Sequence, residues 1–485
     1  MQRLGTGITG LDRILGGGLP SGRLYLLRGE AGTGKTTAAL QFLMEGIRND
    51  EKVLYVSLSQ SEEELREIAA SHDWDISSIN IQSLSTSETL LDQDEQTIFQ
   101  SAELRLDRTR DKIQEAIANH KPTRIVYDSL LEIRLLAANT TRFRKEILGF
   151  KKFLNDRGIT TLLIDTEHRD ADCDTQGEDQ LENIAHGIIR LEKMLPKYGI
   201  AHRRVEVKKL RGSPTRDGLH DIAIRKGSGV LVFPRIVPAL QPEQSDGHQD
   251  LIKSDIAKLD EMLGGGLEGG TTAMVIGQSG TGKSTLASLY VKAALDRGEQ
   301  VAVYLFEERL ETFFRRCEGL GIELRGYYEQ GRLHIRDFNP TDLSPGEFSN
   351  LVMDTLEEHK VRVVMIDSLT GYLAALPESS LAITHMHSLL KYIARKGVLS
   401  LLVVAQHGLL GNSYHTDLDV SFLGDSVLLL RMYEWPGIIR RTITVVKKRH
   451  GPHDLEVREF DIGTEGISVT EFNPPPPGVG GGPLE

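Results

Sequence analysis

The chain has 485 residues, of which 39% are apolar and 26% charged, and its formal net charge is −12. A single hydrophobic core rarely exceeds about 250–300 residues, so this length predicts two domains of soluble α/β size. The acidic balance argues against a broad nucleic-acid surface. Two separate cysteines, no membrane-length apolar run and no signal-peptide core predict a cytoplasmic protein without a disulfide scaffold, a zinc site or a membrane partner.

Short apolar runs alternate with helical patterns through both halves of the chain. Near-continuous apolar strands separated by helices indicate a mainly parallel sheet covered on both faces, hence an α/β fold. The strands are predicted at 23–28, 53–58, 124–127 and 160–164, and again at 272–276, 301–306, 363–366 and 399–404. Alternating segments at 204–208 and 442–446 predict antiparallel strands near the sheet edge. The predicted organisation is a first domain at 1–237, a linker at 238–250, a second domain at 251–472 and a disordered Pro/Gly tail at 473–485.

Two phosphate-binding loops of the form G-x-x-x-x-G-K-[ST] occur 248 residues apart, at 29–36 and 277–284. In this motif the backbone N–H groups surround phosphates, the lysine reaches the outer phosphates and the hydroxyl binds Mg²⁺. The phrase Leu-Asp followed by Leu-Gly-Gly-Gly-Leu repeats at the same offset, so we interpret the chain as a duplicated nucleotide-binding domain. The predicted nucleotide-binding residues are Gly29, Gly32, Thr33, Gly34, Lys35, Thr36 and Thr37 in the first repeat, and Gly277, Gly280, Thr281, Gly282, Lys283, Ser284 and Thr285 in the second.

Asp128 and Asp367 each end an apolar strand in matched contexts, YDSL and IDSL. An aspartate at this place in a P-loop NTPase holds the magnesium ion, so we predict a metal site formed with Thr36 in the first repeat and Ser284 in the second. The alternative is an ordinary turn aspartate, because Asp-Ser favours turns.

The acidic pair Glu307-Glu308 has no acidic counterpart in the first repeat, where Ser59 and Gln60 stand at the same offset. A carboxylate beside the outer phosphate can take a proton from attacking water, whereas serine cannot and glutamine can only orient the water. We place the pair at the end of the strand nearest the phosphate loop and predict catalysis there. The alternative is a solvated helix start, where acidic side chains favour the helix dipole.

The phrase GITGLDRILGGGLPSG, the two loops, the acidic pair and the late motifs KLRG and KRHGPHD together resemble the KaiC family. That family consists of tandem RecA-like ATPases, whose best-known members are cyanobacterial clock proteins. The resemblance implies a two-tiered homohexamer with ATP bound between neighbouring subunits. It also implies that Lys209 and Arg211, and in the second tier Lys447 and Arg449, reach the neighbour's nucleotide. The alternative is that these cations form a solvated strand face.

Two departures from the family pattern affect the expected activity. Family members usually carry the acidic pair in both repeats. Clock members also carry adjacent serine and threonine phosphorylation sites, which match Ser421 and Phe422 here. Because phenylalanine has no hydroxyl, the ordered two-site cycle cannot operate, although Ser421 remains a candidate phosphosite and Ser426 a weaker one. The alternative is that both are ordinary loop or strand serines.

The leading hypothesis is an ATP-driven regulatory ring with unidentified protein partners. Hydrolysis, and autophosphorylation if Ser421 accepts phosphate, would occur mainly in the second domain, while the first holds ATP for assembly. Its catalytic residues would be Lys283, Glu307 or Glu308, and Arg449 from the neighbour. The alternatives are a DNA-associated RecA-like recombinase or helicase, which needs a basic channel, and an ATP-binding scaffold without turnover.

Overall fold

The computed structural model describes residues 2–84, 102–137, 139–167, 181–195, 201–237, 250–374, 379–406, 420–435, 438–463 and 466–472. The predicted tail and, except for Asp250, the predicted linker lie outside these residues. The chain divides into two compact units, Met1–Arg235 and Ile236–Glu485. Each contains a nine-stranded sheet with helices, which confirms the predicted fold class. The exact domain boundaries stay predictions.

The first unit begins with a short strand and helix that precede its phosphate loop. Its strands are β1 (Arg3–Leu4), β2 (Leu19–Pro20), β3 (Leu24–Gly29), β4 (Val53–Ser57), β5 (Asn80–Ser83), β6 (Arg124–Asp128), β7 (Thr160–Thr166), β8 (Gly187–Met194), β9 (His202–Leu210), β10 (His220–Arg225) and β11 (Gly229–Phe233). Its helices are α1 (Thr9–Ile14), α2 (Lys35–Arg48), α3 (Glu62–Ser71), α4 (Ala102–His120), α5 (Leu130–Leu136) and α6 (Thr140–Asn155).

The second unit repeats this order of elements with one added helix, Arg325–Glu329, before the strand Leu333–Asp337. Its strands are β12 (Leu251–Ile252), β13 (Leu267–Glu268), β14 (Thr272–Gly277), β15 (Gln300–Leu305), β16 (Leu333–Asp337), β17 (Val361–Asp367), β18 (Leu399–Ala405), β19 (Ser426–Trp435), β20 (Ile438–Lys448), β21 (Arg458–Gly463) and β22 (Gly466–Glu471). Its helices are α7 (Ala257–Met262), α8 (Lys283–Asp296), α9 (Leu310–Glu318), α10 (Arg325–Glu329), α11 (Pro345–Glu358), α12 (Leu369–Ala374) and α13 (Ser379–Arg395), with 3-10 turns at Pro340–Asp342 and Ser421–Leu423.

The two large sheets have matching strand orders, β5-β4-β6-β7-β3-β8-β9-β10-β11 and β16-β15-β17-β18-β14-β19-β20-β21-β22. The strands from β5 to β8 pair in parallel, and β9 to β11 add an antiparallel edge, as the alternating segments predicted. Alternate residues of β3 pack into separate cores, Leu24 and Leu26 on one face and Tyr25 and Leu27 on the other. Burial on both faces explains why these strands read as continuous apolar runs.

The position predicted for strand β15 is wrong. It does not lie beside β14, which leads into the phosphate loop, because β17 and β18 come between them. The chain crosses over two strand positions after helix α8, and later strands fill the gap. The parallel carboxyl ends still meet at one edge, since the Phe306 amide donates to the Asp367 carbonyl at 2.7 Å. The acidic pair therefore approaches the site beside Asp367 and not beside the phosphate-loop strand.

A cation stabilises the glycine-rich turn of each unit, but it comes from different parts of the chain. In the first unit, Arg3 donates to the carbonyls of Leu15 and Gly18, both at 2.7 Å. In the second unit, Lys448 donates to the matched carbonyls 248 residues later and pairs with Glu268 at 2.9 Å. The repeated sequence phrase thus has one backbone geometry with two different partners.

Among the described residues, no helix combines the length and the apolar character needed to cross a membrane.

Candidate nucleotide-binding sites

Both phosphate loops lie between a buried strand and the helix that follows it. Gly34 and Gly282, just before α2 and α8, have φ angles of 101° and 96°. This left-handed conformation favours glycine, and a Cβ at either position would also collide with an isoleucine of the sheet, Ile224 or Ile462. The glycine before each loop lysine is therefore required by backbone geometry and by packing.

The loop lysines are buried and hydrogen-bonded to their own loops. Lys35 donates to the carbonyls of Gly29 and Glu30, each at 2.8 Å, and Lys283 donates to that of Gln278 at 2.7 Å. Burial lowers the pKa of both lysines, while the nearby carboxylates partly offset this effect. Each ammonium group is thus held among acceptors that a phosphate oxygen could replace.

The hydroxyl residues of the loops differ in access. Thr33 and Thr281 are buried and donate to a loop carbonyl at 2.8 Å. Thr36 and Ser284 are only partly buried, as ligand-binding residues need. Thr37 and Thr285 are 8% and 6% exposed, close to the loop lysines at 9% and 8%, and their contact with nucleotide stays a prediction. The exposed tips of the loops contain Gly32 and Gly280.

The strand-end aspartates are buried at the carboxyl edge of each sheet. Tyr55 donates to Asp128 at 2.6 Å, and Ser284 hydrogen-bonds Asp367. Burial raises the pKa of both carboxyls, that of Asp367 to about 6, and the charges of Glu307 and Glu308 add to the increase at Asp367. The peptide bond after each aspartate is cis.

The two members of the acidic pair have different surroundings. Glu308 forms an ion pair with Arg316 on α9 at 2.6 Å, and both side chains are mostly buried. Glu307 accepts a hydrogen bond from Ser368, the residue that follows Asp367. Glu307 is therefore adjacent to the predicted metal site, while Glu308 is neutralised by arginine.

In the first unit, the residues matched to the pair and its arginine are Ser59, Gln60 and Ile68. The first unit thus lacks both the carboxylate and the guanidinium of this ion pair at the matched positions. The main chain of Gln60 instead closes a local turn, because its carbonyl accepts from Ser57 at 2.6 Å. Helix α3 then starts with a capping box between Ser61 and Glu64, as expected for acidic residues that stabilise a helix start.

The cations expected to act between subunits lie far from the phosphate loop of their own unit. Residues 209 and 447 pair with the amino ends of β8 and β19, whereas the loops follow the carboxyl ends of β3 and β14. Lys209 and Arg211 donate to the carbonyls of Glu182 and Asn183. Lys447 donates to the Gly424 carbonyl, and Arg449 pairs with Asp425 at 3.1 Å while remaining 55% exposed at its side chain.

Two other arginines contact the phosphate loops within their own unit, and the sequence prediction missed them. Arg203 donates to the Gly32 carbonyl at 3.3 Å, and Arg441 donates to the Gly280 carbonyl at 3.2 Å. Both arginines lie toward the amino ends of their strands, β9 and β20, whereas Lys209 and Lys447 lie near the carboxyl ends of the same strands. Aligning these late strands with each other would have found them, because Arg203 lies six residues before Lys209 and Arg441 lies six residues before Lys447.

The candidate phosphosite Ser421 begins the 3-10 turn Ser421–Leu423. The neighbouring Phe422 is 48% exposed and packs edge-on against His387, with ring centroids 5.8 Å apart.

Two phosphate loops at the carboxyl edges of two mainly parallel sheets define a tandem P-loop NTPase of RecA-like fold. A family model described as a KaiC ATPase matches residues 4–236 and 252–473, so the chain belongs to the KaiC family of ATPases and contains two ATP-binding domains. It is 27% identical over 474 residues to the circadian clock protein KaiC3 of Synechocystis sp., covering 97% of this chain and 92% of the relative. It is 28% identical over 484 residues to the circadian clock oscillator protein KaiC of Prochlorococcus marinus, covering 97% and 93%.

The buried charge of Asp367 generates a prediction about stability. A pKa raised from 3.8 to about 6 corresponds to a cost of about 3 kcal/mol for the ionised form. We expect Asp367→Asn to raise the melting temperature of the nucleotide-free protein by several degrees at pH 8, whereas exposed Asp461→Asn should leave it unchanged.

The difference should be largest above pH 6 and should shrink as the pH falls toward 4. The folded carboxyl then takes up a proton before the unfolded one does, which removes the same charge. A lower melting temperature for the variant at pH 8 would contradict this assignment of cost.

Proposed function

We propose that the protein is an Mg²⁺-dependent regulatory ATPase that assembles as a homohexamer and hydrolyses ATP mainly in its second domain. The first domain holds ATP chiefly for assembly of the ring. The observation that carries this proposal is the contact between Glu307 and Ser368 beside Asp367, which has no counterpart at Ser59. The expected setting is the cytoplasm, with regulatory protein partners.

The donor sets suit a magnesium ion bound with ATP. In the second domain the buried Asp367 hydrogen-bonds the loop hydroxyl of Ser284, and in the first domain the Tyr55 hydroxyl hydrogen-bonds both the buried Asp128 and the loop residue Thr36. Oxygen ligands of this kind are those that Mg²⁺ prefers, and a cation would offset the cost of the buried charge. When bound, the ion neutralises charge on the outer phosphates.

In the second domain, Glu307 is the better candidate for the general base. Its carboxylate accepts a hydrogen bond from Ser368, the residue after Asp367. It has no arginine partner in the part of the chain described. Glu308 is tied to Arg316, so its role would be to fix the end of β15. Lys283 would bind the outer phosphates, and Glu307 would take the proton of the attacking water.

We expect Glu307→Gln to lower ATP turnover at least tenfold, because the amide cannot accept the proton. Glu308→Gln should cost less turnover and more stability, since it leaves Arg316 without its partner. The control is the double change Glu62→Gln and Glu63→Gln, which alters exposed acids at the start of α3. Normal turnover by Glu307→Gln, measured as phosphate release, would disprove this role.

The position of the late cations supports assembly with ATP at the subunit interface. Lys447 and Arg449 lie at the edge of the sheet opposite their own loop, so we place the phosphate group that they contact on a neighbouring chain. A head-to-tail interface of this kind gives a ring when the rotation between neighbours closes, as we propose here. Arg449 would stabilise charge on the transferring phosphoryl group, and Lys209 with Arg211 would bind ATP in the first tier.

This arrangement predicts complementation between two inactive variants. Lys283→Ala removes the phosphate contact and Arg449→Ala removes the neighbour's cation. Each alone should lose most turnover, but their mixture should regain part of it, because some interfaces combine an intact loop with an intact arginine. Absence of recovery in co-assembled rings would contradict the action of Arg449 on a neighbour.

The mass of the assembly provides the control for that mixture. Light scattering after size exclusion should show a hexamer with Mg-ATP for both variants and for the parent, and dissociation of the parent when nucleotide is removed. An unchanged mass without nucleotide would contradict assembly driven by ATP.

We also propose Ser421 as an acceptor of phosphate in the second domain. The circadian relatives suggest a regulatory role, but Phe422 excludes an ordered cycle of two adjacent sites. After incubation with Mg-ATP, we expect mass spectrometry to detect one phosphate per chain, lost in Ser421→Ala and retained in Ser426→Ala. An unmodified mass would show a pure ATPase.

A DNA-associated motor is not favoured, because the net charge is −12 and both curated relatives above are named as clock proteins. An ATP-binding scaffold without turnover would leave the Glu307 contact without a role.

A further inference from the structure

The serine that follows each predicted metal-site aspartate contacts one carboxylate. In the second domain Ser368 donates to Glu307, which lies beyond the end of strand β15. In the first domain the matched Ser129 donates to Glu132 at 2.8 Å, and Glu132 belongs to helix α5. The serines correspond, but their carboxylates come from different elements.

The position that matches each of these carboxylates in the other domain holds a small residue. The second-domain position that matches Glu132 is Gly371, since each lies four residues after its aspartate. A Cβ at Gly371 would lie 3.1 Å from Cγ of Glu307, so glycine leaves the room that Glu307 occupies. The first domain has the reverse arrangement, with small Ser59 at the strand end and Glu132 on the helix. The matched serine thus contacts a carboxylate in both domains, but this carboxylate belongs to helix α5 in the first domain and follows strand β15 in the second.

We infer that Glu132 is the general base of the first nucleotide site and that this domain hydrolyses ATP slowly. The inference rests on the proposed function, because it requires Mg-ATP at the first loop. Glu132 would accept a proton from water as the water oxygen bonds to the γ-phosphorus. The bond from that phosphorus to the bridging oxygen breaks, its electron pair leaves with ADP, and the proton then passes to solvent.

The surroundings of Glu132 agree with this role. Burial raises the pKa of Asp128, and the charge of Glu132 adds to that increase, so the two carboxylates lie close together. The amide oxygen of Gln60 is buried and has no hydrogen-bond partner among the described residues. A glutamine can orient an attacking water without accepting its proton. Gln60 would thus orient the attacking water and Glu132 would accept its proton, whereas in the second domain Glu307 would accept the proton.

The alternative is that Glu132 only caps helix α5. Ser129 and Glu132 have the same spacing as Ser61 and Glu64, which form a capping box. In that box, Ser61 accepts from the Glu64 amide at 3.1 Å, and Glu64 accepts from the Ser61 amide at 2.7 Å. Ser129 makes no such side-chain cap, and its hydroxyl donates to the carboxylate. Glu64 therefore provides a matched control with a purely structural role.

The test uses the full chain carrying Glu307→Gln, so that the remaining turnover comes from the first domain. Adding Glu132→Gln should lower this remaining turnover at least tenfold, while Glu132→Asp, which keeps a carboxylate, should lie between. Binding of a non-hydrolysable ATP analogue should stay at two per chain with unchanged affinity. Nucleotide extracted from the first site should be ATP in the Glu132→Gln variant and ADP in its parent. Adding Glu64→Gln instead should lower the melting temperature and leave turnover unchanged.

Undiminished turnover in Glu132→Gln, or a loss of stability alone as in Glu64→Gln, would overturn the inference. Failure of the parent to bind the analogue at the first loop would instead overturn the proposed function on which the inference rests.

Discussion

The carboxyl edge of a parallel sheet is the constraint on which both sites depend. Each domain buries an aspartate at the end of the strand two places from its phosphate-loop strand, and a short segment after it carries a serine. Burying this charge is unfavourable, as the raised pKa of Asp367 shows. Such a cost is reasonable at a site built for a cation. The phosphate loop, the aspartate and the serine together form a frame that the two domains share.

The duplication has kept this frame and changed what approaches it. The second domain brings Glu307 from a strand and neutralises Glu308 with Arg316. The first domain has lost that ion pair and brings Glu132 from the helix that follows the aspartate. A similar exchange occurs at the glycine-rich turn, whose backbone carbonyls accept hydrogen bonds from Arg3 in the first domain and from Lys448 in the second. The domains therefore preserve positions in space more closely than positions in sequence.

This distinction explains how far the sequence could be interpreted. The glycine loops and the continuous apolar strands predicted the fold class, because local backbone requirements and burial on both faces leave direct sequence patterns. Glu132 was missed because comparison at the fixed 248-residue offset pairs it with Ser380, and alignment on the aspartates pairs it with Gly371, so neither comparison pairs it with Glu307. Strand β15 was misplaced because sequence order does not reveal which later strands enter the sheet between earlier ones. The different roles of Glu307 and Glu308 could be inferred only from their side-chain contacts with Ser368 and Arg316.

The most direct test is an experimental structure of the hexamer with Mg-ADP and a planar fluoride mimic of the transferring phosphoryl group. We expect the attacking water within about 3 Å of a Glu307 carboxylate oxygen in the second domain, and of a Glu132 carboxylate oxygen in the first. Arg449 of the neighbouring chain should contact the mimic in the second tier. A water held by other groups, with both glutamates turned away, would contradict the account.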